Sequence, residues 1–245
     1  MITFNPDLKI FYSTKVNDRN YFSGFSISDL GDARNSYTIT NFFNQQRITF
    51  KKIAILEQIH STNIELYQDA KSKDYLEIIA DSDGILTKNT QIILVVRNAD
   101  CVPLIMVDKT TGYIGISHQG WRGSLKNMAN KMVTSFLKVN SKVEDLICSI
   151  GPAIGICCYE VDDSLYYNFL EEFDGYSRKI FILKKGRWHI SLSQLNYLEL
   201  LDAGIKKENI DFFPFCTKCD SKRFFSRRRA KSQNFSEMFN FVMKL

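Results

Sequence analysis

The chain has 245 residues, 44% hydrophobic and 24% charged, with a formal net charge of +5. That is the balance of a soluble globular protein able to bury a substantial core, as one large domain or two small ones, and a charge this modest argues against a general nucleic-acid binder. No run of about 18 apolar residues occurs, so no membrane span is expected, and the charged opening MITFNPDLKIFYSTK lacks a secretory pattern, so a cytoplasmic protein is expected.

Residues 22–27 and 37–48 mix aromatics with Asn and Ser without a clear period, and read as short strands and loops. Residues 51–59 read as a strand, 70–77 as a polar loop with a fragment of helix, and 81–84 (Asp-Ser-Asp-Gly) as a turn before the apolar pair Ile85-Leu86. Residues 92–96 form a buried-type run. Two further apolar runs, 104–107 and 113–117, flank the turn Asp108-Lys109-Thr110-Thr111-Gly112, which predicts an antiparallel hairpin. The strongest helix is 125–137: Leu125, Met128, Ala129, Met132, Val133, Phe136 and Leu137 share one face, with Ser124 as the expected N-cap. A strand at 146–150, a helix at 164–173 and a capping box at Ser191-Leu192-Ser193-Gln194 follow. That box opens a helix to Ala203 stopped by Gly204, and 210–213 reads as the last strand. Without repeats or a low-complexity linker, the reading is one α/β domain over residues 1–245 with a mixed sheet.

The hairpin matters because of what flanks it. Cys101 precedes its first strand and His118 ends its second, so both fall at the open end, away from the turn. His60, another of only three histidines, also follows an apolar run. Two imidazoles and a thiolate suit zinc or copper better than magnesium, and three protein ligands leave a fourth position open for chemistry. The loop after His118 reads Gln119-Gly120-Trp121-Arg122-Gly123-Ser124. Gly120 and Gly123 permit close backbone approach, Trp121 offers a flat wall, and Arg122 with the following helix start suits an anion.

Six unevenly spaced cysteines argue for reduced thiols or metal ligands rather than a disulfide scaffold. Adjacent Cys157 and Cys158 are expected to point apart and not to share a metal. Cys216-Thr217-Lys218-Cys219 resembles half a zinc knuckle, but no second pair has knuckle spacing, so a four-cysteine zinc is disfavoured. His189 is expected to be structural or exposed. Lys218, Lys222, Arg223, Arg227, Arg228, Arg229 and Lys231 crowd together against Asp220 alone. That cluster reads as a solvated face, an anionic small-molecule pocket or, third, a nucleic-acid surface.

The segments QIHST, DGILT, NADCVPLIMVD, GISHQGWRGS, IGPAIGICCYEV and CTKCDSKRFFSRRR run in order from about residue 55 to 229. Together they resemble the laccase-domain family, once named multicopper polyphenol oxidoreductases and now viewed as zinc-dependent purine nucleoside phosphorylases. The resemblance implies a metal on His60, Cys101 and His118. It also implies phosphorolysis of adenosine, inosine, guanosine and methylthioadenosine, with hydrolytic deamination of adenosine. The implied fold has two central sheets between outer helices, a four-layer α/β/β/α arrangement similar to cysteine-hydrolase-like toxins.

On that basis the expected partners are purine nucleosides and phosphate, and the expected cofactor is Zn2+ with Cu2+ as the second choice. A monomer with no membrane or nucleic-acid partner is expected. Arg122 and Arg223 or Arg227 would hold the anion, and Asp100 or Glu160 would move protons. Lys15 stands where the family carries Arg, and could still hold phosphate as a point charge; Gln119 stands where the family usually has Ala. A copper oxidase of phenols is the older reading of the family, but three histidines cannot supply a multicopper cluster. Two more activities stay open at the level of sequence: a cell-wall precursor amidase and a nucleic-acid-binding module.

Overall fold

The computed structural model describes residues 1–46, 48–68 and 73–245. In chain order its strands are β1 (Ile2–Asn5), β2 (Ile10–Ser13), β3 (Tyr21–Ser26), β4 (Lys52–Leu56), β5 (Ile64–Leu66), β6 (Leu76–Ile79), β7 (Gly84–Thr87) and β8 (Ile92–Asn98). There follow β9 (Val102–Asp108), β10 (Ile114–Gln119), β11 (Leu146–Ile150), β12 (Glu160–Val161), β13 (Phe181–Lys184), β14 (Arg187–Ile190), β15 (Ile210–Phe212) and β16 (Met238–Lys244). The helices are α1 (Ser36–Gln45), α2 (Trp121–Leu125), α3 (Met128–Lys138), α4 (Asp163–Glu172), α5 (Ser177–Ile180), α6 (Leu192–Asp202) and α7 (Arg227–Ala230).

Two mixed sheets carry the fold, ordered β1-β2-β3-β16-β8-β4-β6 and β15-β11-β9-β10-β7-β5; β12-β14-β13 form a small third sheet. The central strands are apolar on both sides because both sheets are covered on both faces. Ala54, Leu56, Leu94, Val96, Ile105, Val107, Ile114 and Ile116 fill the space between the sheets. On the far side of the first sheet, Ile53, Ile55, Val95, Phe239 and Phe241 pack against Ile39, Phe42 and Phe43 of α1. On the far side of the second, Leu104, Met106, Leu146 and Ile150 pack against α3 and α6. The result is four layers, α/β/β/α, the arrangement implied by the family resemblance.

The predicted hairpin is β9 and β10, paired antiparallel with His118 opposite Pro103. Its turn is held by Asp108, whose Oδ1 accepts from the N–H groups of Thr110 (2.8 Å) and Thr111 (3.0 Å). Gly112 takes the left-handed φ of 79° that closes it. Residues 146–150 form β11 as predicted, and α6 opens with the Ser191 side chain accepting from Gln194 N–H and ends before Gly204 at φ 93°. Among the described residues no helix is long and apolar enough to cross a membrane.

Four expectations need correction. Residues 37–45 are not strand and loop: they belong to α1, capped by the Asn35 side chain accepting from Tyr37 N–H, and residue 47 lies outside the described residues. Its Thr and Asn content is weakly helical, but burying Ile39, Phe42 and Phe43 against β16 overrides that propensity. The predicted long helix is broken. Asn127, at φ 59°, separates α2 from α3, and Ser124 is no cap but a buried side chain accepting from Asn196 Nδ2 at 3.2 Å. Strand 210–213 is not the last, because β16 inserts between β3 and β8. Of the predicted loop at 70–77, residues 70–72 lie outside the described residues, and Leu76–Ile79 is strand β6, parallel to β4.

Candidate active site

His60, Cys101 and His118 come together where the chain passes between the two large sheets. His60 follows β4 of the first sheet, Cys101 sits in the turn joining β8 to β9, and His118 lies near the end of β10 in the second. One ligand-capable atom from each lies within 4.8 Å of the others. The two imidazoles cross at 88° with centroids 4.9 Å apart. His60 and Asp100 hold positive φ, 61° and 95°, and for such side chains that costs of order 1–3 kcal/mol each. The Gln58 amide fixes the approach to His60: it donates to the Arg97 carbonyl and accepts from the Arg97 N–H, both at 2.7 Å.

Asp83, fully buried, ties this arrangement together. Its carboxylate accepts from the N–H groups of Ile59 (3.2 Å), His60 (3.1 Å) and Ser61 (2.6 Å) and from Ser61 Oγ (2.8 Å). It also lies 2.8 Å from His118 Nδ1. That contact leaves the other ring nitrogen of His118 free to act as a ligand, as a carboxylate behind a metal-binding histidine does. Burial pushes the Asp83 carboxyl up, but the His118 and Ser61 donors outweigh it and hold it below the usual carboxylate range. Burial would also raise the Cys101 thiol, yet the neighbouring His118 and His60 bring it down to about 6. In the reverse sense, burial disfavours charge on His118, but the Cys101 sulfur and the Asp83 carboxylate raise it to about 10. The cluster is built to hold a thiolate among positive or metal-directed nitrogens.

A cavity of about 560 Å³ opens onto this cluster, lined by His60, Asp100 and Cys101, by Trp121 and Tyr159, and by Arg122, Arg227, Arg228 and Lys231. That volume suits a molecule of nucleoside size. The Arg122 guanidinium lies 4.3 Å above the Trp121 ring and that of Arg228 lies 5.0 Å from the Tyr159 ring. Two aromatic walls thus carry cations at their rims.

Sequence comparisons agree with this picture. Residues 25–244 match the family described as multi-copper polyphenol oxidoreductase laccase. The chain belongs to this family. A purine nucleoside phosphorylase of Rickettsia prowazekii is 33% identical over 222 residues, covering 88% of this chain and 87% of the relative. An adenosine deaminase called RL5, from an unknown prokaryotic organism, is 28% identical over 88% of this chain and 85% of its own. Among solved structures, a hypothetical protein YfiH of Bacillus licheniformis superposes with a TM-score of 0.84 at 25% identity, covering 92% of this chain and 93% of that one. Family membership and the His/Cys cluster together point to metal binding.

The remaining laccase-family motif residues divide between the cavity and the scaffold. Gly120 is where close approach is needed: a Cβ there would lie 2.7 Å from His60 Cδ2 and 3.2 Å from His118 Cε1. Gly123 instead faces the Ser61 carbonyl, which a Cβ would meet at 3.1 Å, so its role is packing and not ligand approach. Gly123 lies inside the five-residue α2, which is too short for much of a dipole; anion binding falls to the cationic side chains. Lys15 does not reach the cavity. It pairs with Asp211 at 3.0 Å and donates to the Glu208 carbonyl. Arg223 is also spent elsewhere, paired with Asp220 and laid over Phe11 and Phe215. The basic cluster is therefore split, since Arg229 donates to the carbonyls of Thr217, Lys218 and Phe224.

Of the two carboxylates considered for proton transfer, Asp100 lines the cavity. It is held by Thr217 Oγ1 (2.6 Å), Ser226 Oγ (3.0 Å) and Arg228 N–H (2.7 Å). Glu160 is exposed and faces Arg187 at 3.9 Å. His189 is buried, with Nδ1 3.0 Å from the Ile156 carbonyl. The sequence reading missed Asp83 and Tyr159. Asp83 begins the DGILT segment and Tyr159 lies in IGPAIGICCYEV, so both fall in the quoted motifs, but neither was given a role.

Proposed function

We propose that the protein processes purine nucleosides in this cavity, cleaving the bond between base and ribose with phosphate and also deaminating adenosine. One observation carries the reading: His60 and Cys101 of the clustered trio, two aromatic walls and a group of arginines all border one cavity of nucleoside size, with His118 beside them. A zinc ion fits the donor set of two imidazoles and a thiolate, with His118 already oriented by Asp83. Zinc bound there would supply Lewis acidity toward an oxygen of phosphate, ribose or water.

The chain's own residues supply the remainder. Arg122, Arg227, Arg228 and Lys231 hold the phosphate against the sugar, lowering the barrier by orientation. Trp121 and Tyr159 flank the base. Burial pushes the Tyr159 phenol up, so it keeps its proton at neutral pH and can donate it to a purine nitrogen as negative charge gathers there. For deamination, Asp100, fixed by its three donors, is the cavity carboxylate placed to accept and return a proton.

The test is product analysis of adenosine, inosine, guanosine and methylthioadenosine, each with and without phosphate. Phosphate-dependent release of free base with ribose 1-phosphate (5-methylthioribose 1-phosphate from methylthioadenosine) supports phosphorolysis, and phosphate-independent inosine from adenosine supports deamination. Metal-loaded protein that leaves all four nucleosides intact sinks the proposal.

A further inference from the structure

Cys157, Cys158, Cys216 and Cys219 stand apart from the chemistry proposed above. Their sulfurs lie within 4.8 Å of one another, with Cys219 Sγ 3.4 Å from Cys158 Sγ and 3.6 Å from Cys157 Sγ. These lengths discriminate between two kinds of cluster. Disulfide sulfurs sit about 2.05 Å apart, whereas zinc–sulfur bonds of about 2.3 Å in a tetrahedron place neighbouring sulfurs ~3.8 Å apart. The observed separations lie near the tetrahedral edge.

The backbone explains how cysteines so unpromising in sequence converge. Residues 156–158 are in a turn, not a strand, with the N–H groups of Cys158 and Tyr159 both donating to the Gly155 carbonyl. Adjacent side chains can therefore face the same point instead of opposite sides. Ala153 and Cys216 form a parallel bridge, and Thr217 N–H donates to the Ala153 carbonyl at 3.0 Å. Gly155 N–H donates to Cys216 Sγ at 3.1 Å. A Cβ on Gly155 would lie 3.0 Å from Cys216 Cβ and 3.3 Å from Cys157 Sγ, so glycine keeps the space between the sulfurs clear. The expectation that Cys157 and Cys158 diverge, and that a four-cysteine site is disfavoured, is corrected on these grounds.

We propose that the four cysteines form a second, structural metal site, a tetrathiolate for one zinc ion. Four sulfur ligands close the coordination sphere and leave no position for substrate. Each thiol that ligates releases its proton to solvent. The ion ties the loop carrying Ile154 and Tyr159 to residues 216–219, whose Thr217 and Lys218 carbonyls accept from Arg229 of the helix that carries Arg227 and Arg228, and so braces two walls of the cavity. Cys157 and Cys219 are exposed, giving the ion a route in.

The test measures zinc per chain in full-length protein isolated anaerobically from zinc-supplemented cells. Wild type is expected to hold two ions, and Cys101→Ala and Cys219→Ser one each. X-ray absorption on Cys101→Ala should show four sulfurs at about 2.3 Å. That spectrum stands even if Cys219→Ser is insoluble, because all four cysteines remain intact. A zinc-free Cys101→Ala protein, a nitrogen or oxygen shell around its zinc, or recovery of the four cysteines as disulfides without metal would overturn the proposal.

Discussion

Replacing Asp83 by Asn removes one charge and almost no volume, so its consequences can be worked from the hydrogen bonds. The carboxylate accepts from four donors of the His60 loop and faces His118 Nδ1. An amide keeps one accepting oxygen. If that oxygen stays with His118 and His60, the amide NH2 meets Ile59 N–H, Ser61 N–H and Ser61 Oγ. The hydroxyl can rotate to accept, but the two backbone donors are left facing another donor. Each buried unsatisfied donor costs about 1–3 kcal/mol, so Asp83→Asn should lose roughly 2–6 kcal/mol, a large share of the ~5–15 kcal/mol typical of a folded domain. Loss of the carboxylate behind a histidine ligand should also weaken metal binding about 10- to 100-fold. Chemical denaturation and zinc competition against a chromophoric chelator read the two effects separately. Unchanged stability together with zinc affinity within twofold of wild type would refute the role assigned to Asp83.

Three further outcomes follow from the same geometry. Gly120→Ala places a methyl 2.7 Å from His60 Cδ2, and should lower zinc affinity at the trio at least tenfold with little change in secondary structure by circular dichroism. Arg227→Ala, on the cavity rim, should raise KM for phosphate about tenfold, the loss of roughly 1.4 kcal/mol, while KM for nucleoside moves little; steady-state kinetics in both substrates separates them. Glu199 on α6 is buried with neither carboxylate oxygen hydrogen-bonded among the described residues, and burial, with Glu172 nearby, raises it from 4.5 to about 8. An acid raised on folding binds its proton more tightly in the native state, so stability falls as pH climbs from about 4.5 to 8, by at most about 4–5 kcal/mol. Glu199→Gln should flatten that slope in urea titrations at pH 5.5 and 9 and be the more stable protein at pH 9; an unchanged slope would contradict it.

The site was legible where local geometry dictates distance. A hairpin brings the start of one strand beside the end of the next, so Cys101 and His118 could be paired from spacing alone, and the register of β9 and β10 shows how. The four-layer fold came from motif resemblance; periodicity alone gave an α/β chain with a mixed sheet. What stayed hidden depends on long-range packing. The DGILT motif marks Asp83, but its role stays hidden because its partners at 59–61 and 118 are distant in sequence. The helix α1 is stabilised by β16, some 200 residues away, and β16 itself is masked by the polar Asn240, whose amide NH2 donates to Asn98 Oδ1 at 2.9 Å. Lys15 and Arg223 carry the right charge for phosphate, but Asp211 and Asp220 claim them, and no spacing rule reveals that.

Bound metal and adenosine phosphorolysis, measured on the same samples of wild type and Cys101→Ala, test the central claim most directly. Wild type should turn over adenosine with phosphate, lose that activity when stripped by chelator and regain it with zinc. Cys101→Ala should hold one ion fewer and form no adenine above background. Equal zinc content and undiminished turnover in Cys101→Ala would contradict the assignment of the active centre to His60, Cys101 and His118.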